Sequence, residues 1–216
     1  FWTGKTFAAQ YFTAVPFGLN FQGMNGWLYD GGGINLWNEV YAPFGMVAMP
    51  CGNTGVQMTG WFRKPIQSVE DFKGMKCRQT GIVAEIFQRM GMQTVNMPGG
   101  EIVPSAQRGV IDCAEWVSPV EDLKLGLPQI YKYYYTPGMH ETSVVAEFII
   151  NADVWKSLPA QQQEAIRSAA TETYVRWWVK WQKQNADALD EMRTKYGTQI
   201  LRTPPEILTA FLKAWD

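Results

Sequence analysis

Histidine and cysteine, the residues on which most catalytic triads and zinc sites depend, are scarce in this chain. Its 216 residues include one histidine, His140, and three cysteines. A Ser-His-Asp or Cys-His system would have to use His140, a histidine-based metal centre has little support, and the nucleophile-elbow pattern GxSxG does not occur. The patterns GxGxxG and GxxxxGK[ST] are also missing, so nothing indicates a nucleotide phosphate site. We therefore expect no enzyme, although the many acidic residues leave a carboxylate-pair hydrolase open on composition.

Net charge and long apolar runs are missing as well. The 19 basic and 20 acidic residues nearly cancel, so we expect no nucleic acid partner. No apolar run reaches the roughly 18 residues that a membrane-spanning helix needs. Residues 1–5 lack the basic and apolar regions of a signal peptide, and they start as if the chain were cut within a fold. This start predicts an N-terminally truncated fold and says little about export.

The three cysteines, Cys51, Cys77 and Cys113, are dispersed and form no CxxC pair, which argues against a disulfide scaffold and a cysteine zinc site. Each lies in or beside an apolar segment, so we predict buried free thiols. A Cys77–Cys113 bridge is the alternative, and it requires that the strands of these two residues be neighbours.

The middle of the chain shows the clearest organisation. Its apolar pattern and glycines predict strands alternating with helices, at 75–79, 81–90, 92–96, 101–108 and 110–116. A strand–helix–strand–helix–strand run implies a parallel sheet with right-handed crossovers. In open sheets of this kind, ligands bind outside the carboxyl ends of the strands.

Three other segments complete the prediction of the fold. A buried strand is predicted at 46–49, ending before Pro50, and a second strand at 56–62. A helix predicted at 160–196 would be about 55 Å long at about 1.5 Å per residue. Because that exceeds the width of a small lobe, we expect this helix to cross two lobes of an α/β protein.

Arg78 is the sharpest candidate for a binding residue. It lies near the end of the first strand of the predicted sheet, and Glu115 and Trp116 lie at the end of the third, so all three should face one crevice. A guanidinium offers a planar fork of donors that matches a carboxylate. A structural ion pair is the alternative for Arg78, and Gln57 and Glu141 are ordinary polar residues when each is taken alone.

Several segments of the chain resemble one family when they are taken together. They are Thr13-Ala14-Val15-Pro16-Phe17-Gly18, Gly52-Asn53-Thr54-Gly55-Val56-Gln57-Met58, Trp61-Phe62-Arg63-Lys64, Asp71-Phe72-Lys73-Gly74-Met75-Lys76-Cys77-Arg78, Pro98-Gly99-Gly100-Glu101-Ile102, Val110-Ile111-Asp112-Cys113-Ala114-Glu115-Trp116 and Tyr133-Tyr134-Tyr135-Thr136-Pro137-Gly138-Met139-His140-Glu141. The combination is similar to the solute-binding proteins of tripartite ATP-independent periplasmic (TRAP) transporters, in the branch that binds 2-oxo acids and similar monocarboxylates. The match runs over essentially the whole chain, but family members carry a long further segment before the position of Phe1.

The resemblance implies a two-lobe α/β periplasmic-binding-protein fold with a long helix crossing both lobes. Lobe I would comprise 1–54 and 141–182 and lack its N-terminal part, and lobe II would comprise 55–140 and 183–216. The ligand would bind in the cleft between the lobes.

The resemblance also implies roles for the candidate site residues. Arg78 matches the arginine that anchors the ligand carboxylate, and Glu141 matches another ligand-facing position. Gln57, Glu115 and the backbone carbonyl of Trp116 match positions that hold a cation bridging protein and ligand. Such oxygen donors suit sodium or calcium. The indole of Trp116 is expected as a wall against the ligand, with core packing as the alternative.

The function implied is that of a periplasmic receptor, which binds a 2-oxo or 2-hydroxy monocarboxylate and delivers it to membrane-embedded TRAP permease subunits. No catalytic cofactor is expected, and a homodimer through the aromatic-rich terminal helices stays open.

The alternative function rests on the 10 Trp, 9 Tyr and 11 Phe, which either fill a core or line a cleft. In that alternative, a carbohydrate or other neutral ligand stacks on aromatic faces and Arg78 is structural.

Overall fold

The computed structural model describes residues 5–216, which form two compact units. The first unit comprises residues up to Gly55 together with Thr142–Gln182, and the second comprises Val56–Glu141 and Lys183–Asp216.

Short 3₁₀ and π segments supplement the main elements. The α-helices are α1 (Phe21–Asn25), α2 (Gly33–Tyr41), α3 (Gly81–Arg89), α4 (Gly99–Gln107), α5 (Pro119–Leu125), α6 (Ala152–Ser157), α7 (Ala160–Tyr196) and α8 (Pro205–Trp215). The strands are β1 (Met46–Asn53), β2 (Gly60–Phe62), β3 (Lys76–Arg78), β4 (Gln93–Val95), β5 (Cys113–Ala114), β6 (Tyr133–Thr136), β7 (Val145–Asn151) and β8 (Gln199–Arg202).

The first unit is built around an antiparallel pair formed by β1 and β7. The prediction that β1 ends before Pro50 is wrong, because the strand continues through this residue to Asn53. The pairing shifts register between Pro50 and Gly52, and such an irregularity is where a strand accommodates a proline that cannot donate to the ladder. Trp37, Tyr41 and Tyr174 fill the core of this unit.

The second unit contains a six-stranded sheet in the order β4-β3-β5-β2-β6-β8. The predicted parallel run is confirmed for β4, β3 and β5. The sheet as a whole is mixed, because β2 runs antiparallel to both of its neighbours. The strand predicted at 56–62 is shorter than expected, since only Gly60–Phe62 pairs in the sheet.

Neighbouring side chains of this sheet enter two different hydrophobic clusters. Trp61 of β2 and Tyr134 of β6 belong to one cluster, whereas the adjacent Phe62 and Tyr135 belong to the other. Successive side chains of a strand point to opposite faces, so the sheet has a packed core on each side. The inner strands are therefore buried, and polar groups on them need partners.

The two cysteines of the sheet are joined. Cys77 of β3 and Cys113 of β5 lie opposite each other in register and form a disulfide. The prediction of free thiols is therefore wrong for this pair, and the neighbouring strands are the condition under which a bridge was expected. Cys51 is free and half-buried.

The longest helix confirms the prediction made for 160–196. Helix α7 runs without interruption from Ala160 to Tyr196, and its residues belong to the first unit up to Gln182 and to the second from Lys183. Among the described residues, no helix combines the length and the apolarity that crossing a bilayer requires.

Candidate functional site

Arg78, the last residue of β3, is a buried cation with only 6% of its surface exposed. Its Nη1 donates to the carboxylate Oε2 of Glu115 at 3.0 Å and also to the backbone carbonyl of Glu115. Its Nε lies 3.5 Å from the carbonyl oxygen of Met97. These contacts fix the guanidinium at the carboxyl end of the strand, the edge at which an open sheet binds ligands.

Glu115 follows β5 directly, and the register of the parallel pair places it beside Arg78. Arg78 stands opposite Ala114, and the Glu115 N–H donates to the Arg78 carbonyl at 3.3 Å. Burial raises the pKa of the Glu115 carboxyl to about 8, although the Arg78 guanidinium opposes the shift. Among residues 5–216, no group donates a hydrogen bond to Oε1 of Glu115. The carboxylate therefore has one oxygen bound and one available.

Trp116 forms a wall beside the cation. The centre of its ring lies 5.2 Å from Cζ of Arg78, which is within the range of a cation–π contact. The other end of the indole packs so closely against Gly99, the first residue of α4, that a Cβ on Gly99 would collide with the ring. The half-buried Trp116 thus takes part both in the core and in the surroundings of Arg78.

His140 and Glu141 reach the same place from the segment that follows β6. Nε2 of His140 lies 3.9 Å from Oε1 of Glu115, and the imidazole is almost completely buried. Burial lowers the pKa of His140, whereas burial and the charge of Glu115 raise the pKa of the half-buried Glu141 to about 7. Gly138 allows this arrangement, because a Cβ there would lie 2.7 Å from Cε1 of His140.

Gln57 is buried next to the same segment. Its backbone N–H donates to the carbonyl of Glu141 and its carbonyl accepts from the N–H of Gly138, both at 2.9 Å. These two bonds hold the backbone of residue 57 against residues 138–141. The second unit therefore brings together all the residues that the resemblance assigns to a site: Gln57, Arg78, Glu115, Trp116 and Glu141.

The structure adds a residue that the sequence did not single out for binding. One ligand atom from each of Glu115, His140 and Glu141 lies within 4.8 Å of the others, a spacing that a metal ion could bridge. From the sequence, His140 was the lone histidine and a member of one resembling segment, with no role in binding. Its position directly before Glu141 was the one signal that could have placed it in the site.

Comparison with known proteins agrees with the fold. The family model described as "DctP: Bacterial extracellular solute-binding protein, family 7" matches residues 2–216. The monocarboxylate 2-oxoacid-binding periplasmic protein of Nostoc sp. is 38% identical over 213 residues, which are 99% of this chain and 58% of that protein.

Two crystal structures of TRAP periplasmic solute-binding proteins are also similar, each at 36% identity over 100% of this chain. The protein from Pseudoalteromonas atlantica, with bound sodium and pyruvate, superposes with a TM-score of 0.93 and is covered over 65% of its length. The protein from Colwellia psychrerythraea, with bound calcium and pyruvate, superposes with a TM-score of 0.94 and is covered over 66%.

The similarity extends over nearly all of this chain, although the chain spans less than two thirds of the length of these relatives. It confirms the predicted α/β solute-binding fold, and the family model matches far more than half of the sequence. The chain belongs to family 7 of the bacterial extracellular solute-binding proteins, the DctP family.

Proposed function

We propose that this protein is a non-catalytic periplasmic receptor, which binds a 2-oxo or 2-hydroxy monocarboxylate and delivers it to a membrane-embedded TRAP permease. The observation that carries the proposal is the buried guanidinium of Arg78 at the carboxyl end of β3, fixed by Glu115 and Trp116. Family membership and the pyruvate bound by two similar proteins support the same ligand class. A homodimer remains a prediction.

Arg78 has donors to spare for a carboxylate. Its guanidinium and Nε carry five N–H groups. Within the described part of the chain, Nη1 and Nε make its hydrogen bonds and Nη2 makes none. Nη2 and the adjacent Nε, whose contact with Met97 is long at 3.5 Å, form the edge that a carboxylate would accept from. Glu115 binds Nη1, on the other side of the guanidinium, and so keeps this edge in place.

A sodium or calcium ion fits the proposed site on charge and on donor chemistry. A bound carboxylate would lie close to Glu115 and Glu141, whose negative charges would repel it. A cation removes this repulsion, and Oε1 of Glu115 is a buried oxygen that accepts no hydrogen bond from residues 5–216. We assign the amide oxygen of Gln57, the carboxylate of Glu115 and the carbonyl of Trp116 as its ligands, all hard oxygens of the kind such ions prefer.

The aromatic content does not favour the neutral-ligand alternative. Trp37, Trp61, Tyr41 and Tyr134 are fully buried in the cores of the two units. Trp116 is partly exposed, but its ring faces the guanidinium of Arg78. Most of the aromatic side chains named here thus pack the fold, as expected for core residues.

The test is a titration of the protein with pyruvate and with glucose, followed by intrinsic tryptophan fluorescence. Pyruvate should bind and glucose should not. Arg78→Ala should weaken pyruvate binding at least about 100-fold, since it removes charge-assisted hydrogen bonds. Arg78→Lys keeps the charge but loses the planar fork of donors. Its pyruvate affinity should therefore lie between those of the unsubstituted protein and Arg78→Ala.

Arg108→Ala is the matched control, because Arg108 is an exposed arginine of the same unit. It should bind pyruvate like the unsubstituted protein. Urea unfolding of each variant verifies that the protein is folded. Unchanged pyruvate affinity in folded Arg78→Ala protein would contradict the assignment of Arg78, and glucose binding that survives the substitution would favour the alternative.

A further inference from the structure

The single histidine of the chain is buried, and the described residues satisfy neither of its ring nitrogens. His140 has 1% of its surface exposed, and within residues 5–216 neither Nδ1 nor Nε2 takes part in a hydrogen bond. A neutral imidazole has one N–H donor and one acceptor lone pair, and each such group destabilises the folded state when it is left unsatisfied in the interior. A buried polar group of this kind requires an explanation, and an ion is one of the usual ones.

The imidazole of His140 has two carboxyl groups as neighbours. Glu115 Oε1, 3.9 Å from Nε2 of His140, also receives no hydrogen bond from the described residues, and Glu141 adds a third ligand atom within 4.8 Å. Three atoms bound tetrahedrally at about 2.1 Å from a metal lie about 3.4 Å apart, so a contraction of about 1 Å would close the site. Rotation of the glutamate side chains can supply such a movement.

We propose that Glu115, His140 and Glu141 form a binding site for a divalent transition-metal cation of the zinc class. An imidazole nitrogen with two carboxylate oxygens suits Zn²⁺, and the same nitrogen is a poor ligand for Na⁺ or Ca²⁺. Three protein ligands leave a fourth position open, as in zinc sites that bind a further oxygen ligand.

The charges of the surrounding groups agree with a dication. Arg78 faces two carboxylates, Glu115 and Glu141, so the group is negative overall when both are ionised. A dication would reverse this surplus and leave the site attractive to a monocarboxylate anion. The inference goes beyond the proposed sodium or calcium site, with which it shares only Glu115, and it holds whichever carboxylate binds.

The direct test uses His140 as its own reporter. Because it is the only histidine, protein prepared without a polyhistidine tag and labelled with ¹⁵N-histidine gives the nitrogen signals of one imidazole. Addition of one equivalent of Zn²⁺, with no carboxylate present, should shift the signal of the coordinating nitrogen. Unchanged imidazole signals in the presence of bound Zn²⁺ would overturn the proposal, as would the absence of 1:1 binding.

Substitutions provide a second test in which Co²⁺ replaces Zn²⁺, because the visible absorption of Co²⁺ reports a nitrogen ligand. His140→Gln and Glu141→Gln should each weaken Co²⁺ binding at least about 100-fold, more than loss of an outer-sphere partner usually costs. Glu85→Gln, which alters an exposed glutamate of the same unit, should leave both affinity and spectrum unchanged.

Calcium binding distinguishes this proposal from the preceding one. His140→Gln should change the Ca²⁺ affinity less than about threefold, since imidazole is not a ligand that Ca²⁺ prefers. Equal losses for Co²⁺ and Ca²⁺ would mean that His140 only supports the fold, and they would overturn the transition-metal site. Pyruvate binding that requires Arg78 and Ca²⁺ would still stand, so the two proposals can fail separately.

Discussion

Two regions of the second unit bury a carboxylate, and they treat it in opposite ways. Asp122, in α5, is 1% exposed and accepts three hydrogen bonds: from Nε1 of Trp61 at 2.8 Å, from the Tyr134 hydroxyl at 2.7 Å and from the Val117 N–H at 3.1 Å. Glu115 is 4% exposed, has one oxygen bound to Arg78, and has another to which no described residue donates.

This difference in hydrogen bonding distinguishes Asp122, a structural carboxylate, from Glu115, which belongs to the proposed site. Burial raises the pKa of Asp122 to about 6, less than it raises the pKa of Glu115, because the donors around Asp122 favour its charged form. Interiors normally satisfy their polar groups, as the Asp122 region does. The Glu115 region departs from this rule, and its open oxygen is what a cation or a ligand can use.

Removal of the Asp122 carboxylate should produce the largest loss of stability. Asp122→Ala leaves the donors of Trp61, Tyr134 and Val117 without an acceptor, and at about 1–3 kcal/mol for each donor the free energy of unfolding should fall by about 4 kcal/mol. Urea unfolding measures this loss. Asp190→Asn, a change of an exposed aspartate in α7, is the control and should have no effect.

Pyruvate binding by Asp122→Ala tests whether Asp122 and Glu115 differ in function. If the Asp122 region is structural, the folded fraction of Asp122→Ala should bind pyruvate within about threefold of the unsubstituted protein, since a site residue of this kind would cost more than about 1 kcal/mol. If Asp122→Ala were as stable as the unsubstituted protein but no longer bound pyruvate, the roles of the two carboxylates would be reversed. Asp122 would then belong to the site and Glu115 would be structural.

The disulfide next to the Glu115 region should have the next largest effect. Cys77 and Cys113 are separated by 36 residues, and opening a loop of this size costs about 3–4 kcal/mol. The bridge lies beside Arg78 and two residues before Glu115, so Cys77→Ala with Cys113→Ala should also weaken pyruvate binding, because the strand ends are held less firmly. The measurements are urea unfolding and fluorescence titration. Cys51→Ser, at the free cysteine, should change neither.

The smallest expected effect is a dependence of stability on pH. The pKa values of Glu141 and Glu115 are raised by burial to about 7 and about 8, from 4.5 in the unfolded chain. Between pH 6.5 and pH 8 the folded state holds protons that the unfolded state has already released, so stability should fall as the pH rises. The lowered pKa of His140 acts in the opposite direction, because the unfolded histidine still holds part of its proton near its ordinary pKa of 6.5, and it reduces the slope only at the lower end of this window.

Unfolding in urea at pH 6.5 and at pH 8, with a chelator present, measures the slope. Glu141→Gln should reduce it and Glu85→Gln should not. Saturating Ca²⁺ in place of the chelator should reduce the slope as well, because a bound cation stabilises the ionised carboxylates. An equal slope in the unsubstituted protein, in Glu141→Gln and in the presence of Ca²⁺ would locate the titration elsewhere. Asp122, with a pKa of about 6, would then be the next residue to substitute.

Local patterns predicted much of this protein. The glycine-punctuated run that became β3, α3, β4, α4 and β5 implied parallel strands, and adjacent parallel strands end at the same edge. This topology alone predicted that Arg78 and Glu115 would be near each other, and they lie in contact at 3.0 Å. Likewise, 37 residues without an internal proline or glycine indicated α7, which the structure confirms.

The exact register within this run, and contacts with segments outside it, could not be predicted in this way. Strand β2 has only three residues, too few to show a period, and its antiparallel place between β5 and β6 depends on both neighbours. The Cys77–Cys113 bridge needed the register of two strands 36 residues apart. His140 joined the site because the segment after β6 returns to the end of β5, and no local pattern encodes that approach.

The amino-acid sequence by itself determined helices α3, α4 and α7, the parallel strands, the strand-end position of Arg78 and the family to which the chain belongs. These features depend on residues close in sequence, whose apolar spacing and turn residues act locally. Only the tertiary structure decided that Asp122 is satisfied, whereas no residue of 5–216 satisfies Oε1 of Glu115 or the ring nitrogens of His140. Hydrogen-bond satisfaction and desolvation depend on every group packed around an atom, and in a folded chain most of those groups come from far away in the sequence.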